Sequence, residues 1–316
     1  MTGVLRNIDS LPTRPESYHA SKQQDPKSPQ KDKLTLHGNG GIIDDVGELT
    51  PCYPDTPIEE IRRRYWQEGV VWVKGLLDPD VVNKCRKEYF SMVNEGTGIL
   101  KPETDPVEGI FSGGDWREFL LPGAVRVAAG LKDDGPFVEN AIKSHVAPFY
   151  QNFKRYAGQQ LEPFVGKLCE FEDPCTLRSN LPSGRPPTSI TAWVPIGDIG
   201  LHDGGLIYLD RAHDIGVKYE DDFSKKNADL SDEERLSAFN RNMSKGGWID
   251  KNAATFGEDW SRKWYTGKYE AGDVVFHTPM TIHAGAMNKS ATGRIRCSTD
   301  LRFVDKTKPS RDREIF

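Results

Sequence analysis

Six short apolar runs, each closed by turn residues, fill the second half of the chain: 168–171, 176–181, 189–196, 205–209, 273–277 and 296–303. β-Branched and aromatic side chains favour extended backbone, and the Gly, Pro, Asn and Asp between them stop each run. Runs this short and this often interrupted predict an antiparallel sandwich or barrel. One stretch, 216–268, breaks the series, and the capping box Ser231-Asp232-Glu233-Glu234 predicts a helix inside it.

The first half has a different period. Thr56-Pro57-Ile58-Glu59 is a capping box with Pro in the first turn, and the helix it opens should stop at Gly69. A strand is expected over 70–77. Asp78-Pro79 opens a second helix whose apolar positions Val81, Val82, Cys85, Tyr89, Met92 and Val93 recur at three- and four-residue steps until Gly96. A weaker helical stretch covers 117–129, and 137–156 should be helical with a kink at Pro148. Helices followed by strands predict an α+β, mainly β, domain in which helices buttress a sheet. Residues 1–35 are polar and have nothing to bury, so the domain is expected to span 36–316.

Composition narrows the function. The 316 residues carry 42 Lys+Arg against 47 Asp+Glu, a net charge of -5. That balance argues against a nucleic-acid partner, which selects a basic face. No apolar run reaches the ~20 residues of a membrane span. The N-terminal MTGVLRNIDS lacks the apolar stretch of a secretory leader. Cys52, Cys85, Cys169, Cys175 and Cys297 are odd in number and irregularly spaced, as expected of scattered thiols in a cytoplasmic protein.

The segment from Gly272 to Phe303 is the densest in chemistry. A turn leads into an apolar strand ending in His277, then a short loop, His283, a polar loop, and a strand bearing Arg294 and Arg296. A His at a strand end can ligate a metal, and an Arg on a neighbouring strand can hold a carboxylate bidentately. A core His on a backbone carbonyl beside a surface ion pair would leave the same pattern.

This segment resembles the C-terminal signature of the phytanoyl-CoA dioxygenase family of iron(II)/2-oxoglutarate oxygenases. Gly272, Asp273, His277, His283, Asn288 and Arg294 fall in the family's places. Upstream, Thr191-Ala-Trp193 to Asp198, Gly204-Gly205 to Leu209 and Ala212-His213 are similar to its central run. YWQEGVVWVKGLLDPDVV at 65–82 looks like its N-terminal strand and helix. The resemblance implies a double-stranded β-helix, or jelly roll, with flanking N-terminal helices. It implies iron(II) on a 2-His-1-carboxylate triad, 2-oxoglutarate as cosubstrate, and a small hydrophobic metabolite hydroxylated or desaturated, as in fungal secondary metabolism. Carried over, His283 is an iron ligand, Arg294 holds the far carboxylate of 2-oxoglutarate, and Thr292 and Arg296 are second-shell partners.

The other two ligands should come as His-x-Asp or His-x-Glu ahead of the 189–196 strand. No His in the chain has an acid two residues on. The chain passes from Ser179-Asn-Leu-Pro-Ser-Gly184 through Arg185 into Pro186-Pro-Thr-Ser-Ile, where family members have a further ligand-bearing stretch. Two functions remain: an oxygenase with relocated ligands, or a pseudo-oxygenase that binds a small molecule or supports an active partner in a homodimer or heterodimer.

Overall fold

The computed structural model describes residues 33–120, 136–176, 189–226, 249–250 and 252–307. The fold opens with a hairpin rather than a helix, β1 (Leu34–Gly38) and β2 (Gly41–Glu48). Leu36, Ile43 and Val46 are buried on one face of this ribbon, and the three-residue step from Ile43 to Val46 is taken up by an irregularity at Asp45, φ 56°. Helices followed by strands is thus corrected to strands, helices, strands.

Helix α1 (Ile58–Glu68) buries Ile61 and Tyr65 and ends at Gly69, whose φ of 76° lets its N–H reach Tyr65 O. The expected capping box does not start it. Pro57 occupies the N-cap, and the Thr56 hydroxyl accepts instead from Tyr53 N at 2.9 Å. Strand β3 (Val70–Val73) is shorter than expected, because Gly75 turns the chain at φ 65° and donates to the Asp273 carboxylate at 3.2 Å. Helix α2 (Pro79–Asn94) is capped by Asp78, which accepts from Asp80 N. Helix α3 is Arg117–Leu120, and the rest of the 117–129 expectation lies outside the described residues.

The expected kink at Pro148 is a full break. Helix α4 (Pro136–Ser144) ends before it, and helix α5 (Pro148–Cys169) starts anew from Ala147, held extended at ψ 142° as a residue before proline prefers. Helix α5 also replaces the strand expected at 168–171. Phe153, Ala157, Leu161, Val165 and Leu168 form one buried stripe with helical spacing, so the run belongs to that period.

The remaining strands are β4 (Pro174–Thr176), β5 (Ser189–Pro195), β6 (Leu206–Leu209), β7 (Trp264–Thr266), β8 (Val274–His277), β9 (His283–Gly285) and β10 (Ser298–Asp305). One sheet runs β3-β8-β5-β10-β4, entirely antiparallel, and the other runs β1-β2-β7-β6-β9. Neither β7 nor β9 was expected. Each is three residues long, and β7 falls in the stretch assigned to the insertion, which therefore ends before Trp264. The insertion carries α6 (His213–Lys226) and α7 (Ala253–Asp259), and the helix expected at 231–234 lies outside the described residues.

The first sheet packs Ile190, Ala192, Val194, Phe276 and Leu301 outward against α1, α2 and α5. Its inner face meets the second sheet through Trp72, Trp193 and Val275 against Leu206, Tyr208 and Tyr269. The Trp193 and Tyr269 rings cross edge-on at 4.8 Å. The β1–β2 hairpin with Ile215, Phe256 and Trp264 covers the outer face of the second sheet. Two facing, mainly antiparallel sheets buttressed by N-terminal helices are the expected α+β jelly roll.

A buried cation ties the helices to the barrel. Arg86 of α2, 0% exposed, donates from Nε to Val107 O (2.6 Å) and from Nη1 to Ile196 O (2.9 Å). Its Nη2 donates to Glu108 O (3.1 Å) and Ile295 O (3.0 Å). A Cβ at Gly109 or Gly197 would collide with this side chain, and both glycines have positive φ, 60° and 100°. Burial pulls the Arg86 pKa down to about 10, still cationic at neutral pH. Arg86→Leu should cost about 3 kcal/mol by urea unfolding, since four carbonyls, one of them fully buried, lose their donor. A loss below about 1 kcal/mol would show that water replaces the guanidinium there.

Candidate functional site

Register decides which side chains share the barrel interior. His277, Thr191 and Arg302 form one row across β8, β5 and β10, and Val275, Trp193 and Asp300 form the next. After His277 the chain turns through 278–282 and returns as β9 in the opposite sheet. Gly69 pins this turn: its carbonyl accepts from Thr278 N (3.0 Å) and from the Thr281 hydroxyl (2.6 Å), while the two Thr hydroxyls meet at 2.9 Å. His283 then pairs with Tyr208 of β6.

The outcome is a cluster of three rings. The His277 and His283 centroids are 4.8 Å apart, and Tyr208 lies 5.6 Å from one and 6.0 Å from the other. His283 Nδ1 sits 3.0 Å from Thr281 O. A carbonyl only accepts, so Nδ1 carries the proton and Nε2 keeps a free lone pair. His277 is 4% exposed, with Nδ1 3.4 Å from the Tyr208 hydroxyl. Burial first, then the neighbouring His283 and Arg302, hold its pKa well below the usual range, so it is neutral.

The arginines divide. Arg294 is on the outer wall, with Nη1 3.2 Å from the Glu108 carboxylate and Nε donating to Asp198 O at 3.3 Å. Thr292 is exposed and meets the Ser290 hydroxyl at 3.2 Å. Asn288 spans this turn by donating to Arg294 O at 2.7 Å. Arg296 instead points inward. Its Nη1 donates to Gly204 O (3.3 Å) and its Nη2 to the Ser298 hydroxyl (3.0 Å), with Tyr208 and Asp300 within electrostatic reach. The structure thus unites His283, His277 and Arg296 on the barrel side and leaves Arg294 and Thr292 on the rim.

Two site-shaping residues escaped the sequence reading. Tyr208 lies inside the Gly204–Leu209 run but was assigned no role there. Arg86 did leave a signal, because Val82, Arg86 and Phe90 are four residues apart on the buried stripe of α2.

Whether these residues fit iron turns on the donor set. Among the described residues no three His, Cys, Asp or Glu side chains converge on a point that could hold a metal. His202 and Asp203 lie at a turn, where the Asp203 carboxylate accepts from Gly200 N and the His202 side chain is exposed. Strand β9 is the edge of its sheet among the described residues. Residues 177–188, which follow β4 and precede β5 in sequence, lie outside the described residues; their sequence, LRSNLPSGRPPT, contains no His, Asp, Glu or Cys. The described residues do not fit an iron triad.

The phytanoyl-CoA dioxygenase (PhyH) family model matches residues 176–296. No curated protein sequence matches the chain. Among solved structures, the non-heme alpha ketoglutarate dependent epimerase SnoN from nogalamycin biosynthesis is 16% identical with a TM-score of 0.40, covering 78% of this chain and 83% of that one. The carbocyclase SnoK from the same biosynthesis is 16% identical with a TM-score of 0.43, covering 81% and 87%. AviO1 from Streptomyces viridochromogenes Tue57 is 14% identical with a TM-score of 0.40, covering 80% and 97%.

The depressed His277 pKa has a signed consequence. The unfolded chain takes up this proton near pH 6.5 and the folded chain does not, so stability falls as pH drops below about 6.5, at up to about 1.4 kcal/mol per pH unit. His277→Gln should flatten this acid decline in urea midpoints measured between pH 7.5 and 5.5. An unchanged slope would mean that His277 titrates in the fold as it does in the open chain.

Proposed function

We propose that this chain, whose residues 176–296 match the phytanoyl-CoA dioxygenase family model, is a pseudo-oxygenase, a jelly-roll binder of a small hydrophobic metabolite that performs no iron chemistry. The observation that carries this is the donor set around His283: one free imidazole nitrogen, a second imidazole buried against Tyr208, and, among the described residues, no third His, Cys, Asp or Glu converging with them. One imidazole holds iron(II) too weakly to compete for the metal. The protein acts alone as a binder, or as a supporting subunit in a homodimer or beside an active homologue. Its metabolite is of the secondary-metabolism kind. Its acidic balance suits a cytoplasmic protein without nucleic-acid or membrane partners, and no described helix is long and apolar enough to cross a membrane.

In this function the chain's own residues do three things. The Trp72–Trp193–Tyr269 cluster closes the barrel floor and excludes water. The Gly69–Thr278–Thr281 contacts fix the position of His283. His283, with Nδ1–H on Thr281 O, offers Nε2 as a hydrogen-bond acceptor to a ligand hydroxyl or amide.

The same tautomer favours a second reading. A backbone carbonyl on the far ring nitrogen is how a metal-ligating His is oriented. An iron(II)/2-oxoglutarate dioxygenase hydroxylating or desaturating its metabolite would need a carboxylate and another imidazole brought to that Nε2.

Aerobic incubation with iron(II) and 2-oxoglutarate separates the two. No iron-dependent succinate should form, and His283→Ala should not alter iron uptake. Succinate release, with iron binding abolished by His283→Ala, would establish the dioxygenase reading instead.

A further inference from the structure

Outside the barrel, the helical layer holds an open cleft of about 270 Å³ between α2 and α5. Its floor is apolar: Val81 and Cys85 of α2 face Phe149 and Phe153 of α5, with Cys85 and Phe153 buried. The two helices run antiparallel. The Tyr156 hydroxyl accepts from Asp78 N at the start of α2 (2.8 Å), while Asn140 of α4, just ahead of α5, donates to Glu95 O at its end (3.0 Å). An apolar cavity of about 150 Å³ accepts a benzene, so this cleft has room for two aliphatic side chains.

Two such side chains precede α5. Ile142 of α4 and Val146 of the turn that follows are 65% and 77% exposed, the most exposed large apolar side chains among the described residues. At that exposure they do not fill the cleft of their own chain. Knob and hole thus lie on neighbouring segments of one helical layer, the arrangement a two-fold axis makes self-complementary. The rim charges have the same symmetry. Lys84 and Glu88 line the cleft one helical turn apart, and among the described residues neither side chain forms a hydrogen bond or ion pair. Lys87 beside them is already paired to Asp105 at 2.9 Å. A two-fold axis through the middle of the cleft sets Lys84 of each copy opposite Glu88 of the other. The same axis carries Val146 from the Phe149 end of one cleft to the Val81 end of the other.

We propose that this face is a homodimer interface, with α2 and α5 of one copy packed on those of a second copy across that axis. Val146 and Ile142 of each copy cover the other's cleft, and Lys84 of each pairs with Glu88 of the other. This deepens the supporting-subunit form of the proposed function by naming a second copy of this chain as the partner, and it rests on that reading for what the dimer does. A face two helices wide is small for an obligate interface, so the dimer should form at micromolar concentrations.

Sedimentation velocity of the full chain from about 1 to 200 μM tests the proposal. The unaltered protein should pass from monomer to dimer over this range. Val146→Asp should weaken association by about 10-fold or more, since it puts a charge into an apolar cleft. Lys84→Glu and Glu88→Lys should each do the same, because like charges then face each other twice across the axis. An equimolar mixture of Lys84→Glu and Glu88→Lys should recover the unaltered association to within about 3-fold, since every pair across the axis is again opposite in sign. Ile42→Ser, which removes an exposed apolar side chain of β2, should change nothing. Melting curves check each variant, and the charge exchange carries the comparison if Val146→Asp does not fold.

A monomer at every concentration would overturn the proposal and leave the pseudo-oxygenase reading standing. A dimer indifferent to Val146→Asp and to both charge substitutions lies on another surface and would overturn it too. So would two monomeric charge variants whose mixture stays monomeric. A monomer whose cleft binds anilinonaphthalenesulfonate, with that binding lost in Val81→Glu, would overturn it in favour of a small ligand. Iron-dependent succinate release would overturn the reading that gives the dimer its role, a failure that sedimentation does not register.

Discussion

One buried guanidinium holds the helical layer to the barrel. Arg86 reaches from α2 into four backbone carbonyls on three separate segments: the 107–108 loop, the end of β5 and the approach to β10. The bond to Ile196 O is buried and the other three are partly buried, so the guanidinium supplies donors where water has little access. The approach to β10 carries Arg294 and Arg296 in sequence around Ile295. Fixing Ile295 therefore sets which arginine turns to the rim and which turns to the interior. Glycines at 109 and 197 are the structural condition for this arrangement, because any side chain there would occupy the space of the guanidinium.

The second constraint is the sheet edge at β9. His283 and His277 sit at the two ends of one tight turn, held by Gly69 O, and that geometry is fixed by residues this chain keeps. The sequence between β4 and β5, 177–188, holds only Leu, Arg, Ser, Asn, Pro, Gly and Thr, none of which ligates iron(II) as an imidazole or carboxylate does. The fold survives this because its stability comes from the Trp193–Tyr269 core and the α5 stripe, neither of which includes His277 or His283. Fold and chemistry are separable here, as they are across folds in general.

The sequence carried most of the larger elements and about half of the site. Helix α2 and strands β5, β6, β8 and β10 were legible because their apolar period is long or unbroken. Strands β7 and β9 were not, since three residues cannot display a period and both are defined by partners distant in sequence. The expected strand at 168–171 failed because a local apolar run cannot tell a helix end from a strand; the four-residue stripe beginning at Phe153 settles it. The loop from His277 to His283 was visible as spacing. The opposed directions of Arg294 and Arg296 were not, because both occupy the same face of an extended segment until Glu108 and Gly204 draw them apart.

The central claim is that His283 stands without co-ligands. Manganese(II) soaked anaerobically into crystals grown with 2-oxoglutarate tests it through anomalous scattering at the barrel mouth. The expected map has no peak at bonding distance, roughly 2–2.5 Å, from His283 Nε2. A peak there, with a carboxylate and a second imidazole from anywhere in the chain completing its coordination, would contradict it.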